Sequence, residues 1–595
     1  MTTTLYNKVY GTLRAAALCG VLAAGLWSCN DFLTIYPTDR TVGTDFWKTK
    51  ADVQEMVDGC YKSMLDYSVQ ESAILWGAYR SDELVKFKDY SSSQLDNIAA
   101  VNLQPSYGYN SWAAFYKVIN NCNIVLKHAP DVLAEDPEFT QGDYQSVRAQ
   151  MLALRALCHF YLVRTFRDVP FSDQAFEDDS QDLMLPQLPP ATVLQRCLDD
   201  LADAERYIMK SGAYGYGNWR NWGYMTRDAV CALTADIYLW RASMTHSAAD
   251  YQKVLEYAEK VIEAKHLYYQ AHHTGSVTTA GADRYHLENG VDALYMLFNN
   301  NQGNAHESIL EWQYNGKNNS NTALENYYYQ SGSEDNYKKT SILMASSIFN
   351  VPAEDANKAD GLKVYLSTND YRFWNNTYDA NNEEAEQLSV RKMVTTSSLV
   401  IDPTSALGES KSNTRAFKEF RQNWIVYRLT DVMLMKAEAL VALSASDSDP
   451  QLREAFDLVE AVNTRSMAEG ATDLLAYADY PTVADMELLV LAERERELCF
   501  EGKRWFDLMR YSYRHMQGVD AGSKMADATS WPDLYTPMLR MVVRKYGDGG
   551  QGNAVIYKMR SEPYLYWPVQ EREIKVNSLL RQNPAFNPVN STSKS

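Results

Sequence analysis

The sequence predicts a mostly α-helical protein, in which tetratricopeptide-like helical hairpins form a scaffold carrying long irregular loops and a few short strands. Three observations carry this expectation. Amphipathic helix patterns recur as close pairs over about 34–42 residues, the scale of a tetratricopeptide hairpin. Long polar stretches near 265–345 and 370–420 interrupt them, and loops of that length are usually functional. Hydrophobic residues make up 46% of the 595, enough for a full core.

The N-terminus is a targeting segment. Lys8 and Arg14 precede the apolar run AAALCGVLAAGLW (15–27), followed by Ser28 and Cys29. This order describes a secretory signal, and a cysteine directly after the cut describes a lipoprotein whose Cys29 is lipidated. The run is shorter than the roughly 20 apolar residues that span a bilayer. We therefore expect a signal peptide over 1–28, a lipidated leader over 29–46 and a single helical domain over 47–595.

The helices follow in order. FWKTKADVQEMVDGCYKSML (46–65) is amphipathic, with Thr44 or Asp45 as its cap. SWAAFYKVINNCNIVLKHAP (111–130) is a second helix, stopped at Pro130. In VRAQMLALRALCHFYLVRTF (147–166), Val147, Met151, Leu154, Cys158, Tyr161 and Thr165 lay one apolar stripe along a helix. These two form a hairpin near 111–166, and further pairs lie near 225–264 and 427–468. ESILEWQYN (307–315) reads as a strand, and LRMVVRKYGDGGQGNAVIYKM (539–559) as two strands around a Gly-rich loop.

Composition excludes several functions. The net charge is −19, against a nucleic-acid partner, which needs a basic footprint. Of eight cysteines, Cys19 leaves with the signal. Cys60, Cys122, Cys158, Cys197, Cys231 and Cys499 stand singly on apolar stretches and are expected as buried free thiols, with no CxxC spacing for zinc. GDGGQG (547–552) matches a dinucleotide fingerprint only formally, lacking a following helix and an acidic ribose partner. His272-His273 has no further spaced ligands. HExxH, GxSxG and P-loop motifs are absent, so neither catalysis nor a cofactor is expected.

ERERELCFEGKRWFDLMRY (493–511) is the strongest motif. Glu501 and Arg504, and Asp507 and Arg510, are spaced to pair on a helix face, and Trp505 and Phe506 among them point to a partly buried ion network. The segment resembles the late signature of the SusD/RagB family, with Glu495 where many members are basic. CNDFLTIYP (29–37), WAAFYKVINNCNIVL, ALRALCHFYLVRTFRDVPF (153–171, with Arg167 where Gly is common), YRLTDVMLMKAEAL and YLYWPVQEREIKVNSLLRQNPAF (564–586) resemble the family's other landmarks, in order, across nearly the whole mature chain.

The resemblance implies a tetratricopeptide-like scaffold whose landmark motifs are structural. It implies an outer-membrane lipoprotein that sits as a hinged lid on a SusC-like TonB-dependent transporter and hands it oligosaccharides. The alternative is a RagB-like lid that takes peptides. Family ligand contacts lie in variable loops, so site residues come from composition alone. There are 41 Tyr and 13 Trp, many in polar loops, where a flat apolar ring with a polar handle suits sugar stacking. The candidates are Asn97, Tyr107 and Tyr109 in one loop, Tyr327, Tyr328, Tyr329 and Tyr337 in a second, Tyr371 and Trp374 in a third, and Trp219 with Trp222 in a fourth.

Overall fold

Buried helix faces, stacked pair upon pair, set the architecture of this computed structural model. It describes residues 46–178, 180–272, 284–288, 290–298, 304–329, 340–343, 369–378, 387–395, 420–525, 536–546 and 550–587. Cys29, His273 and Tyr337 lie outside the described residues. The helices are α1 (Lys50–Ser63), α2 (Tyr67–Ile74), α3 (Ser93–Ala99), α4 (Ala113–Glu135), α5 (Gln141–Phe166), α6 (Pro190–Tyr207), α7 (Arg220–Gly223), α8 (Arg227–Thr245) and α9 (Ala248–His272). After them come α10 (Ala293–Phe298), α11 (Thr322–Tyr327), α12 (Tyr371–Asn376), α13 (Leu429–Leu443), α14 (Pro450–Ser466) and α15 (Val483–Leu498). The last are α16 (Arg504–His515), α17 (Thr536–Val543), α18 (Gly550–Lys558) and α19 (Glu571–Val576).

The three expected hairpins are α4/α5, α8/α9 and α13/α14. They form one continuous stack, α1–α4–α5–α6–α8–α9–α13–α14–α15, in which each helix packs on the next. Strands are short and antiparallel: β1 (Val85–Lys86), β2 (Val169–Pro170), β3 (Gln187–Leu188), β4 (Ser308–Trp312), β5 (Thr340–Leu343), β6 (Gln387–Leu388) and β7 (Trp424–Arg428). The sheets are β1–β5–β6, β2–β3 and β4–β7. The strand expected within 307–315 is β4, and it pairs Trp312 with Trp424 on β7. The six cysteines from Cys60 to Cys499 are free and buried.

Several elements depart from the sequence pattern. α1 starts later than expected: Thr49 caps it, accepting from Asp52 N while the Asp52 carboxylate accepts from Thr49 N at 2.7 Å. Thr44 and Asp45 lie outside the described residues. α4 runs through Pro130 to Glu135. Pro130 is exposed while Ala129 and Val132 beside it are buried, so packing on one face outweighs one missing amide on the other. α5 is buried on every side from Ala149 to Phe166, including Gln150, Arg155, His159 and Arg164. Its sequence shows one stripe because the opposite face meets α6 through polar contacts such as Arg155 to Asp200 at 2.7 Å.

The segment 539–559 contains helices α17 and α18 where two strands were expected. Gly550 and Gly552 of the GDGGQG run lie at the start of α18, so a helix does follow it. A helix and a 3-10 turn precede it instead of the strand a dinucleotide fold requires.

At the end of α5, Arg167 takes φ 66° and ψ −77°, a region costly for a side chain with a Cβ. Its fully buried guanidinium holds the strain in place. It donates to Glu562 at 3.0 Å, Asp168 at 2.8 Å, the Ser523 carbonyl at 2.9 Å and the Asp520 carbonyl at 2.7 Å. A glycine would adopt this backbone freely but could not clamp the C-terminal segment.

Candidate functional site

The charged signature is the molecule's internal frame. Residues Glu493 to Glu497, Glu501, Arg504, Asp507 and Arg510 are all buried. Arg494 donates to Asp431 and Asp507, each at 3.0 Å, and Arg510 to Glu438 and Asp507, each at 2.8 Å. The expected Asp507–Arg510 pair therefore forms. The Glu501–Arg504 pair does not, because Glu501 lies in the turn between α15 and α16. Glu501 takes Lys392 at 2.7 Å and Arg428 at 2.8 Å, while Arg504 takes Asp82 at 2.8 Å and Glu495 at 2.6 Å.

These pairs bind the inserted segments to the scaffold. Arg372 of α12 meets Asp370, Glu493 and Glu497, and Arg465 joins Glu307 to Glu497. Burial raises the Asp431 carboxyl, but Lys503 and Arg494 beside it outweigh that and bring it down to about 2. Glu497 is likewise held well below the usual range by Arg465, Arg428 and Arg372, against its burial. The network is closed to solvent.

A different surface gathers hydrogen-bonding aromatics. In α2, capped by Asp66 accepting from Ser68 N at 3.0 Å, Tyr67 and Glu71 are one turn apart. One Glu71 oxygen accepts from the Tyr67 hydroxyl and from the Tyr327 hydroxyl of α11, both at 2.8 Å. Asn326 donates its amide to Tyr67 at 3.3 Å. The Tyr109 phenol lies beside that of Tyr327, and its backbone carbonyl accepts from the buried Trp76 indole at 3.0 Å. On the same loop, Asn97 donates to the Tyr107 hydroxyl at 2.7 Å. Burial, reinforced by Glu71, pushes the phenols of Tyr67 and Tyr327 far above their usual range, so both remain protonated donors at neutral pH.

The first expected loop thus meets helix α11 around Glu71: Tyr109 comes from the loop, with Asn97 and Tyr107 near it in sequence, and Tyr327 from the helix that stands where the second loop was expected. Tyr67, Tyr107 and Tyr109 are half-buried, so part of each ring faces solvent. Tyr327 is buried and holds the Glu71 carboxylate through its hydroxyl. Tyr328 is also buried, with its hydroxyl on the Phe500 carbonyl at 3.0 Å. Trp374 and Trp222 are buried as well, and Tyr371 is half-buried. Trp219 is exposed, on a separate loop. Composition missed Tyr67, Glu71 and Asn326; the available signal was a phenol and a carboxylate four residues apart on one helix.

Among the described residues, no group of three or more His, Cys, Asp or Glu is placed to hold a metal ion. His272 packs its ring against Tyr268 at 4.3 Å. The open hollow of about 620 Å³ between α9, α13 and α14 is lined by Lys253, Glu256, Glu259, Lys436 and Glu454. It offers no aromatic face, and its Lys436 is committed to Glu259 at 3.1 Å and Glu454 at 2.7 Å.

Residues 243–586 match the family model described as the SusD family, more than half of the chain. The chain belongs to the SusD family. Residues 31–239 match a second model, described as starch-binding associating with outer membrane. SusD-like protein P38 of Formosa agariphila is 24% identical, covering 81% of this chain and 88% of its own. SusD-like protein P2 of the same organism is 25% identical, covering 82% and 89%.

Among solved structures, a SusD superfamily protein from Bacteroides vulgatus superposes with TM-score 0.61 at 16% identity, covering 91% of this chain and all of its own. One from Bacteroides thetaiotaomicron gives 0.59 at 19%, covering 91% and 99%. The mostly helical fold expected from sequence is thus the fold of this superfamily. Family members are binding proteins associated with the outer membrane. Among the described residues no helix is long and apolar enough to cross a membrane.

Proposed function

We propose that this SusD-family protein is a lipoprotein of the outer membrane, anchored through Cys29 and facing the cell exterior. It captures oligosaccharides and delivers them to a SusC-like TonB-dependent transporter. The observation that carries the glycan reading is the Glu71 surface. A single carboxylate fixes Tyr67 and Tyr327, Tyr109 lies beside Tyr327, and half-exposed ring faces remain for the apolar C–H face of a pyranose. Asn97 and Asn326 supply amide groups beside those rings for sugar hydroxyls.

Because the phenols are already locked, little side-chain entropy is lost on binding. One ring on one sugar contributes about 1 kcal/mol beyond buried area. Two or three such contacts with hydrogen bonds give affinities between about 1 μM and 1 mM, suited to cargo that must be released. The protein binds without turnover and without a cofactor. The test is native affinity electrophoresis and calorimetry of the soluble form beginning after Cys29, against polysaccharides and a peptide digest. Retardation by a polysaccharide without product release is the expected result. Binding to peptides alone would replace the glycan reading with the RagB-like one.

A further inference from the structure

Outside the Glu71 surface, the α6–α7 loop carries two exposed aromatic rings, one of them stacked on the C-terminal end of α9. Trp219 is 44% exposed and Tyr216 is 69% exposed, and Trp219 is the exposed tryptophan among the described residues. Singly exposed apolar residues are ordinary, but these two are held by what lies beneath them. Tyr216 stacks on His272, centroids 5.1 Å apart and planes within 17°, and His272 rests on Tyr268 at 4.3 Å. Trp219 stands edge-on to Tyr224 at 5.4 Å. It packs so close to Gly223 that a Cβ there would lie 2.8 Å from its ring.

The loop's backbone is fixed as well. Buried Asn221 donates to the Gly215 carbonyl at 2.7 Å and accepts from Tyr214 N at 3.3 Å. Asn218 donates to the Tyr214 carbonyl at 3.0 Å and accepts from Arg220 N at 3.0 Å. The Arg220 guanidinium lies over one face of the Trp219 ring, 5.1 Å from its centre, and over Tyr224 at 5.6 Å, so its hydrogen-bond donors sit at the rim of the indole.

We propose that Tyr216 and Trp219 form a second carbohydrate platform, which engages a polysaccharide chain beyond the part held at Glu71. The inference rests on the glycan reading above. Rigid rings flanked by donors match a pyranose, which is apolar on its C–H face and hydroxylated at its rim. A second contact on one polymer acts through effective concentration. It therefore strengthens binding of long chains and leaves short oligosaccharides unaffected.

The test uses the soluble form, with amylopectin, laminarin, xylan and polygalacturonate as polymer probes and their short oligosaccharides as controls. Relative to wild type, the Tyr216→Ala/Trp219→Ala variant is expected to bind the retarding polymer about tenfold more weakly. It should bind the matching oligosaccharide equally well, and Trp219→Phe should keep most of the polymer affinity. The polymer should also shield Trp219 from acrylamide quenching, read as the difference between wild-type and Trp219→Phe fluorescence.

Unchanged polymer affinity in the double variant, with Trp219 of the wild-type protein still quenchable in the presence of polymer, would overturn the platform alone. Shielding of Trp219 by the co-purified transporter and by no polymer would overturn it in favour of a protein interface. Retardation by none of the polymers, even for wild type, would remove the glycan reading and the platform with it.

Discussion

Gly502 carries φ +70°, and a Cβ on it would lie 2.6 Å from the Ala73 carbonyl oxygen. Opposite it, a Cβ on Gly77 would overlap the Gly502 carbonyl, so the π-helical turn Leu75–Tyr79 and the α15–α16 turn touch backbone to backbone. Gly502→Ala should therefore destabilise the fold by about 2–4 kcal/mol, read as a lowered denaturant midpoint. Asp431 sets a pH dependence. Its folded pKa is depressed, so its share of stability is complete above the unfolded value near pH 4. That share is lost as pH falls toward about 2. Asp431→Asn leaves Lys503 and Arg494 without that countercharge. It should cost about 3–5 kcal/mol at pH 7 and unfold with a shallower acid slope than wild type, measured by urea titration between pH 5 and pH 2.

At the scale of elements, the helices were readable because most bury one face, which prints a 3.6-residue period. The hairpins α4/α5, α8/α9 and α13/α14 sit where that period recurs. Pro130 misled because a local rule met a packed helix. Restoring the amide should favour that helix, so Pro130→Ala is expected to stabilise the protein by about 1–3 kcal/mol, seen as a higher unfolding midpoint. Residues 539–559 misled because β-branched residues around glycines resemble a hairpin in sequence, while Leu539, Met541, Val542 and Val555 are buried as helix faces. The pairing of Glu501 with Arg428 and Lys392, far away in sequence, is beyond any i,i+3 rule. No local pattern announces a contact closed by three segments.

Across the whole molecule, the signature of 493–511 identified the family because its charges are locked in the core, where few substitutions fit. The ligand surface was less legible for the complementary reason. Aromatic loops marked Tyr107, Tyr109 and Tyr327, but equally marked Tyr328, Trp222 and Trp374, which the fold buries. Only the meeting of α2, the loop before α4, and α11 separates the two sets, and it brings in Tyr67 and Glu71. The most direct test of that surface compares wild type with Tyr67→Ala/Tyr109→Ala in calorimetry against short oligosaccharides of the polysaccharide that retards wild type, with unfolding midpoints measured alongside. The variant is expected to keep most of its stability and to lose oligosaccharide binding by at least about tenfold. Undiminished binding by the folded variant would contradict it and place the glycan site elsewhere on the protein.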